Sequence, residues 1–289
     1  MAVSQDFIAD KKVLVIGVTG LFGRGLSYLL AKNNQVHGLC RFTEPRLKEE
    51  VEQWCEKLWK VDGAEPGSLE DVPRDYDYVF NEAVQWGHED TYTWPTFKQL
   101  MEVNRFFPGQ IMEHFGDQAE GLVFGSNGGV YQACSDKDDL NKEEATTLEG
   151  GFHPYDDTKI GGEMLVNYCS REHDIPAAIL RYYWPAAPYG AGGRAGRTCR
   201  TWLKGKPTQV SHKNPWYHNV GYISDLLRAT CAAATKCTSP VNTYNVSGRQ
   251  IVNYREVDLA VADAMGIDPI FEEVEQERDM PMYVADVEK

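Results

Sequence analysis

The feature that most constrains the fold is a glycine-rich turn between a short apolar run and a helical segment. Residues 12–17 (KVLVIG) are typical of a buried strand, and residues 23–32 have helical spacing. The glycines between them allow a tight turn, a close approach of a pyrophosphate to the backbone, and close packing of helix on strand. The helix start adds free N–H groups. A purely structural turn is the alternative, but this context favours a dinucleotide site formed by Gly17, Thr19, Gly20, Leu21, Phe22, Gly23 and Arg24.

Short apolar runs then alternate with helical patterns as far as residue 181. We predict strands at 35–40, 76–80, 121–125 and 177–181, and helices at 44–58, 97–115 and 157–171. Such alternation predicts an α/β fold, a Rossmann-type doubly wound parallel sheet with helices on both faces. Residues 182–215 lose this periodicity and are rich in Gly, Pro, Arg and aromatics. We therefore predict a dinucleotide-binding domain over 1–180 and a smaller substrate lobe over 181–289, with segments around 217–250 returning to the core.

Charge and cysteine content exclude several classes of function. The net charge of −14 would repel nucleic acid and anionic membranes, so neither is an expected partner. The seven cysteines contain no CxxC pair, which argues against a disulfide framework and a bound metal. No apolar run approaches the ~20 residues that span a bilayer, and the first residues do not resemble a signal peptide. We expect a cytoplasmic protein that acts on a small molecule.

The end of the second predicted strand bears on the choice of cofactor. Cys40 stands where an Asp or Glu would bind the ribose of NAD, and Arg41 follows it. Arg24 lies just after the third glycine of the turn. A guanidinium without a competing carboxylate matches a 2′-phosphate, so NADP is preferred. The alternative is that Arg41 is merely solvated and the cofactor is NAD.

From about residue 11 to residue 266 the sequence resembles the extended short-chain dehydrogenase/reductases, also called the NAD-dependent epimerase/dehydratase family. The resemblance is carried by Val61-Asp62 with Gly67-Ser68-Leu69 ("GDL…SL"), VFNEAV at 79–84 ("VFHLAA"), PYDDTK at 154–159 ("PYGxSK"), ISDL at 223–226 ("VDDL") and TYNVSG at 243–248. It implies that Asp62 contacts adenine and that Ala83 lies along the nicotinamide ribose. It also places Asn104 and Tyr183 in the cofactor site. A homodimer formed through the helices of Asn104 and Tyr155 is implied as well.

Tyr155 and Lys159 are four residues apart, which puts them on one face of a helix. A nearby ammonium favours the phenolate and so lowers the pKa of a tyrosine. Tyr155 would then exchange a proton with a hydroxyl or keto oxygen during hydride transfer. The family resemblance adds that Lys159 holds the nicotinamide ribose.

Other positions depart from the family pattern. Asn127 stands where a Ser or Thr binds the substrate oxygen, and Ser126 precedes it; either one could serve. His218 replaces an arginine that holds a nucleotide diphosphate, which weakens a nucleotide-sugar assignment. Further candidates for the substrate site are Trp86 and Trp184, which could stack on a sugar, and Arg194 and Arg197, which could bind an anion.

Three functions are consistent with these residues. The first is an oxidoreductase linked to NADP or NAD that acts on a hydroxyl or keto group of a small, sugar-like substrate. The second is a nucleotide-sugar epimerase with tightly bound NAD. The third is a dinucleotide-binding protein without turnover, which the presence of both Tyr155 and Lys159 disfavours.

Overall fold

The computed structural model describes residues 8–86, 93–131, 140–145, 147, 153–189, 193–211, 216–275 and 284–288. The strands in this part of the chain are β1 (Lys12–Ile16), β2 (Gln35–Cys40), β3 (Lys57–Lys60), β4 (Tyr78–Asn81), β5 (Gly121–Asn127), β6 (Ala177–Tyr182), β7 (Trp184–Ala186), β8 (Thr208–Val210), β9 (Tyr217–Tyr222), β10 (Asn242–Val246), β11 (Ile251–Asn253) and β12 (Phe271–Glu273). The α-helices are α1 (Leu21–Leu30), α2 (Pro45–Val51), α3 (Trp94–Leu100), α4 (Phe107–Phe115), α5 (Pro154–His173), α6 (Gly193–Trp202), α7 (Ile223–Ala234) and α8 (Tyr254–Met265).

Seven strands form one parallel sheet in the order β10-β6-β5-β4-β1-β2-β3. Both faces of its central strands are covered by helices, which explains why the strands read as nearly continuous apolar runs. On one face Val13 and Val15 belong to a hydrophobic cluster with Leu26 of α1. On the other face Leu14 and Ile16 belong to a second cluster, with residues of α4. The predicted α/β class and doubly wound parallel sheet are confirmed.

Two of the predicted helices differ most from the helices in the structure. The helix predicted over 44–58 ends at Val51, because Lys57–Lys60 forms the edge strand β3 against β2. The helix predicted over 97–115 starts earlier, at Trp94, and is interrupted by a π-helical stretch, Met101–Phe106, between α3 and α4.

The segments after β6 divide between the core and a lobe. Strand β10 completes the large sheet next to β6, and α7 contacts β5 and β6. The lobe contains α6, α8, the three-stranded sheet β11-β9-β7 and the pair β12-β8. The domain boundary near residue 180 stays a prediction.

Within the described ranges, no helix combines the length and the apolar character needed to cross a membrane. The same part of the chain contains no group of three or more His, Cys, Asp or Glu side chains that could hold a metal ion.

Candidate active site

The glycine turn connects β1 to α1 at the carboxyl edge of the sheet. Gly17 has φ of 79°, a conformation that side chains disfavour. A Cβ at Gly23 would collide with the Gly17 carbonyl oxygen, and one at Gly20 would lie 3.1 Å from the same atom. No side chain caps α1, and its first turn has no acidic residue. The N–H groups and positive end of α1 are therefore available to a pyrophosphate, so the turn fits a dinucleotide.

The residues predicted for the adenosine end lie at the ends of β2 and β3. The Cys40 Sγ atom is 3.0 Å from the Thr19 hydroxyl. Asp62 follows β3 and its carboxylate accepts a hydrogen bond from the Ala64 N–H. Arg41 donates to the Gln85 amide oxygen at 3.0 Å.

Arg24 has a different environment from Arg41. It is buried, forms an ion pair with Glu50 at 3.1 Å and lies over the Tyr189 ring. Glu50 therefore neutralises Arg24, whereas the hydrogen-bond partner described for Arg41 is an uncharged amide. Both arginines were predicted to favour a 2′-phosphate. Arg41 fits that role better, because no carboxylate neutralises its charge among the contacts described.

Helix α5 supplies both members of the predicted catalytic pair. It begins at Pro154, and the His153 side chain accepts a hydrogen bond from the Tyr155 N–H. Tyr155 and Lys159 lie on successive turns and are both buried. The Lys159 Nζ atom donates to the carbonyl oxygen of Gly125 in β5 at 2.8 Å. This bond ties the helix to the strand that ends beside Tyr155.

The pKa of Tyr155 is raised in the structure, whereas the sequence predicted that it would be lowered. Burial raises it above the ordinary value, and the neighbouring Asp156 carboxylate raises it further. The indole of Trp86 stacks on the phenol ring, with centroids 4.0 Å apart and an angle of 17° between the planes. Burial also lowers the pKa of Lys159 to about 8. Desolvation of the phenolate thus outweighs the attraction predicted between Tyr155 and Lys159, whose Nζ atom is directed to Gly125.

Ser126 and Asn127 have different partners. The Ser126 hydroxyl donates to the Glu163 carboxylate at 2.6 Å, and Glu163 forms a buried ion pair with Arg181 at 2.7 Å. Asn127 accepts a hydrogen bond from the Gly129 N–H through its Oδ1 atom. Its buried Nδ2 atom makes no hydrogen bond of normal geometry with any described residue. The Asn127 amide nevertheless lies close enough to Tyr155 to oppose the rise in its pKa.

Asn104 links two parts of the site. It is fully buried in the π-helical stretch, and its amide bonds both the N–H and the carbonyl of Gln85 at 2.9 Å. It also donates to the Thr158 hydroxyl of α5 at 3.0 Å. In this structure Asn104 therefore joins the loop that carries Trp86 to the helix that carries Tyr155.

Two other residues predicted for the cofactor site lie close to the glycine-rich segments. The Ala83 backbone nitrogen is packed against Gly17, 2.7 Å from where a Cβ would stand. Tyr183 is buried with its ring against Gly128.

Three of the residues predicted for substrate binding line a small cavity in the lobe, and Arg197 is not among the lining residues. Its walls include Trp184, His218, Tyr254 and Arg194. Neither ring nitrogen of His218 has a hydrogen-bond partner among the described residues, and burial lowers its pKa to about 3. The imidazole is therefore uncharged near neutral pH. Its ring centroid is 4.5 Å from that of Trp184 and 5.3 Å from that of Tyr254.

The two predicted anion-binding arginines differ in charge environment. Arg194 is bound by the fully buried carboxylate of Asp258, with 2.9 Å between Nε and Oδ1. Arg197 is exposed on α6. Because Asp258 neutralises Arg194, an anion-binding role for this pair of arginines depends on Arg197.

Two carboxyl groups at this end of the sheet were not predicted, those of the half-buried Glu82 and the buried Asp156. Glu82 accepts a hydrogen bond from the Tyr182 hydroxyl at 2.9 Å, and burial raises its pKa to about 7. Burial likewise raises the pKa of Asp156 to about 7. One signal was present in the sequence: Glu82 and Asp156 both interrupt motifs that resemble those of the family, where "VFHLAA" and "PYGxSK" have Leu and Gly.

A parallel sheet with a glycine turn after its first strand and a Tyr–Lys pair beside its fifth defines a Rossmann-type dinucleotide-binding protein. The model of the NAD dependent epimerase/dehydratase family matches residues 13–247, and the chain belongs to this family. It is accordingly an enzyme, as the sequence predicted. No curated protein sequence matches the chain as a relative.

Several solved structures share the fold. UDP-glucuronic acid 4-epimerase from Bacillus cereus, in complex with UDP-glucuronic acid and NAD, is 22% identical, with 96% of this chain and 90% of that chain covered and a TM-score of 0.83. UDP-glucose 4-epimerase from Thermus thermophilus, in complex with NAD, is 22% identical, with 95% and 90% covered and a TM-score of 0.79. UDP-N-acetylglucosamine 4-epimerase from Methanobrevibacter ruminantium, in complex with UDP-N-acetylmuramic acid, is 16% identical, with 97% and 91% covered and a TM-score of 0.82.

Proposed function

We propose that this enzyme is an oxidoreductase that interconverts a hydroxyl and a keto group on a small substrate, with Tyr155 as the group that exchanges the proton. One observation carries the proposal: the unpartnered Asn127 Nδ2 atom lies near Tyr155 at the end of β5, the strand whose Gly125 carbonyl oxygen accepts the hydrogen bond from Lys159. When bound, the nicotinamide cofactor supplies or accepts the hydride.

Each side chain has a distinct role in this reaction. Tyr155 Oη gives its proton to the keto oxygen during reduction and takes it back from the hydroxyl during oxidation. Asn127 Nδ2 donates a hydrogen bond to the same oxygen as negative charge develops on it. Lys159 stabilises the phenolate that remains after reduction and holds the ribose of the cofactor. Because burial raises the pKa of Tyr155, its hydroxyl keeps its proton near neutral pH, which suits reduction.

The test is Tyr155→Phe, assayed by the change in reduced-cofactor absorbance with a panel of free aldoses, ketoses and UDP-hexoses. We expect the turnover of the best substrate to fall by about 10²- to 10⁴-fold. Cofactor affinity, measured by calorimetry, should stay unchanged. Tyr131→Phe is the matched control, because it removes another buried tyrosine hydroxyl, which is bonded to Asn245. Full turnover by Tyr155→Phe would refute the proposal.

The preference for NADP over NAD is part of the proposal and rests on Cys40 and Arg41. Arg41→Ala should weaken NADP binding about tenfold, as expected for a lost charged hydrogen bond, and leave NAD binding unchanged. Cys40→Asp should shift the preference towards NAD. Tighter binding of NAD than of NADP by the unaltered protein would overturn this preference.

The lobe cavity supports an uncharged, ring-shaped substrate. The rings of His218, Trp184 and Tyr254 pack on one another and form an uncharged wall, and the two unpartnered imidazole nitrogens can bond hydroxyl groups. The cation on its wall, Arg194, is neutralised by Asp258. These walls favour a sugar-like molecule over a nucleotide diphosphate.

A nucleotide-sugar epimerase is the second candidate, and the likeness to 4-epimerase structures solved with NAD favours it. An epimerase would purify with tightly bound NAD and convert a UDP-hexose without net change in cofactor absorbance. Exchangeable NADPH that is consumed with a carbonyl substrate would favour the oxidoreductase.

We also propose that the protein forms a homodimer through the helix of Asn104, which continues into α4, and through α5. The exposed side chains of Phe106, Met164 and Tyr168 on these two segments support this proposal.

A further inference from the structure

Glu82 is a half-buried residue at the carboxyl end of β4, where its carboxyl group lies between the glycine turn and the Tyr155–Lys159 pair. A Cβ at Gly17 would lie 2.7 Å from the Glu82 carbonyl, and a Cβ at Gly125 would lie 2.5 Å from its Oε2 atom. Gly17 begins the dinucleotide turn, and Gly125 accepts the hydrogen bond from Lys159. Glu82 therefore occupies the span between the two ends of the proposed cofactor site.

The hydrogen-bond partner of this carboxyl group is an uncharged hydroxyl. Its Oε1 atom accepts a hydrogen bond from the Tyr182 hydroxyl, which lies 2.8 Å from the Thr230 hydroxyl. The Tyr182 ring stacks on Phe22 of the turn, with centroids 4.1 Å apart. No salt bridge joins Glu82 to a cation in the described segments of the chain. An ionised carboxylate in this position is poorly solvated and acts strongly on charges nearby.

A nicotinamide ring carries a positive charge when it is oxidised and none when it is reduced. A cofactor that runs from the glycine turn to Tyr155 must pass Glu82. We propose that the Glu82 carboxylate stabilises the positive charge of the oxidised nicotinamide, so that the enzyme binds the oxidised cofactor more tightly and favours hydride donation by the reduced one. This inference rests on the proposed function. A leucine in this position, as in the family's "VFHLAA" pattern, would have no such effect.

The charged and titratable groups around Glu82 determine how this preference depends on pH. They are Lys159 and Tyr155 on α5, Tyr182 on β6 and Cys231 on α7. Burial raises the pKa of both tyrosines and of Cys231, so these three stay neutral. Burial raises the pKa of Glu82 to about 7, so its charge appears as the pH rises through neutrality. Lys159, whose pKa is lowered to about 8, loses its charge above that pH and adds to the preference only there.

The experiment measures the dissociation constants of NADP⁺, NADPH, NAD⁺ and NADH by calorimetry for the unaltered protein and for Glu82→Gln. We expect the preference for the oxidised form to increase about tenfold between about pH 6 and about pH 8 in the unaltered protein. In Glu82→Gln the ratio of the affinities for oxidised and reduced cofactor should not change with pH over the lower part of this range. Near pH 8 this ratio should be about tenfold smaller than in the unaltered protein. Any rise that remains above about pH 8 belongs to Lys159.

Two further variants separate charge from packing. Thr230→Val changes the same network without changing its charge and should leave the ratio unaltered. Tyr182→Phe removes the hydrogen bond that favours the ionised carboxylate, so the rise in the ratio should move to higher pH. It also keeps the test possible if Glu82→Gln does not fold. Binding with an unchanged ratio in both Glu82→Gln and Tyr182→Phe would overturn the inference, whereas failure of the unaltered protein to bind any of the four cofactors would overturn the proposed function itself.

Discussion

Ser126 and Asn127 show how neighbouring residues can have different roles. Successive side chains of a strand point in different directions, so the two residues at the end of β5 meet different partners. The Ser126 hydroxyl donates a hydrogen bond to Glu163, which in turn forms an ion pair with Arg181. Asn127 keeps a buried Nδ2 donor near Tyr155. The geometry therefore supports Asn127 as the donor to the substrate oxygen and a structural role for Ser126.

A pair of alanine variants tests this assignment. Asn127→Ala should lower turnover about 100-fold, because one donor to the developing oxyanion is lost, with little change in stability. Ser126→Ala should leave turnover per folded molecule nearly unchanged and cost about 1–3 kcal/mol of unfolding free energy. Steady-state kinetics and urea titration of both variants measure these effects. If Ser126→Ala lost the activity and Asn127→Ala kept it, the assignment would be reversed.

The shared helix face of Tyr155 and Lys159 could be predicted from the sequence, but the electrostatics of these two residues could not. The spacing of Tyr155 and Lys159 fixes their common helix face without any knowledge of the tertiary structure. The pKa of Tyr155 depends on burial under Trp86, which comes from a loop distant in sequence. No local pattern around Tyr155 indicates that contact. Glu82 could have been noticed as a charge inside an apolar motif, but its position beside Gly17 and Gly125 required the fold.

At the scale of elements, helix α5 carries the proposed active-site pair and is itself bound to the sheet. Tyr155 and Lys159 occupy its first two turns, and Glu163 in the next turn forms its ion pair with Arg181 of β6. Arg181 also lies over the Tyr131 ring and donates to the Glu143 carbonyl. The ion pair therefore fixes the position of α5 on the sheet, and with it the distance between Tyr155 and β5.

Single replacements of this ion pair should be costly. Arg181→Leu and Glu163→Leu should each lower the unfolding free energy by about 3–5 kcal/mol, because each leaves a buried charge unpaired. The double variant should lose less than the sum of the two. Urea unfolding measures all three, with Glu52→Ala as the control, because the exposed Lys48–Glu52 pair should contribute at most about 0.5 kcal/mol. Additive losses in the double variant would contradict the coupling.

The elements themselves differed in how well the sequence predicted them. Strands β1, β4 and β5 have apolar residues on both faces and were predicted close to their observed positions. Strand β3 (KLWK) was missed, because an edge strand with two exposed lysines has no such run. Its first two residues, Lys57 and Leu58, were assigned instead to the helix before it. The pairing of β10 with β6 joins segments about sixty residues apart, which local periodicity does not indicate.

At the scale of the whole molecule, the proposed dimer would cover an apolar surface that the single chain leaves open. Met164 and Tyr168, one turn apart on α5, are both 51% exposed, and Phe106 is 44% exposed. Large apolar side chains grouped in this way are typical of an interface. Tyr168→Glu and Met164→Glu should each shift the protein from dimer to monomer in light scattering after gel filtration. Leu203→Glu, at an exposed position in the lobe, should not, and a monomeric unaltered protein would contradict the proposed dimer.

The π-helical stretch between α3 and α4 has a consequence for how this enzyme tolerates changes in chain length. Each residue added to or removed from a helix turns everything beyond it by about 100°. Asn104 reaches Gln85 and Thr158 from within this stretch. Substitutions on the outer surface of the helix can accumulate without disturbing these bonds. Loss of a single residue ahead of Asn104 would instead turn its amide away from the loop of Trp86. Insertions and deletions in this helix should therefore be more damaging than substitutions on its outer surface.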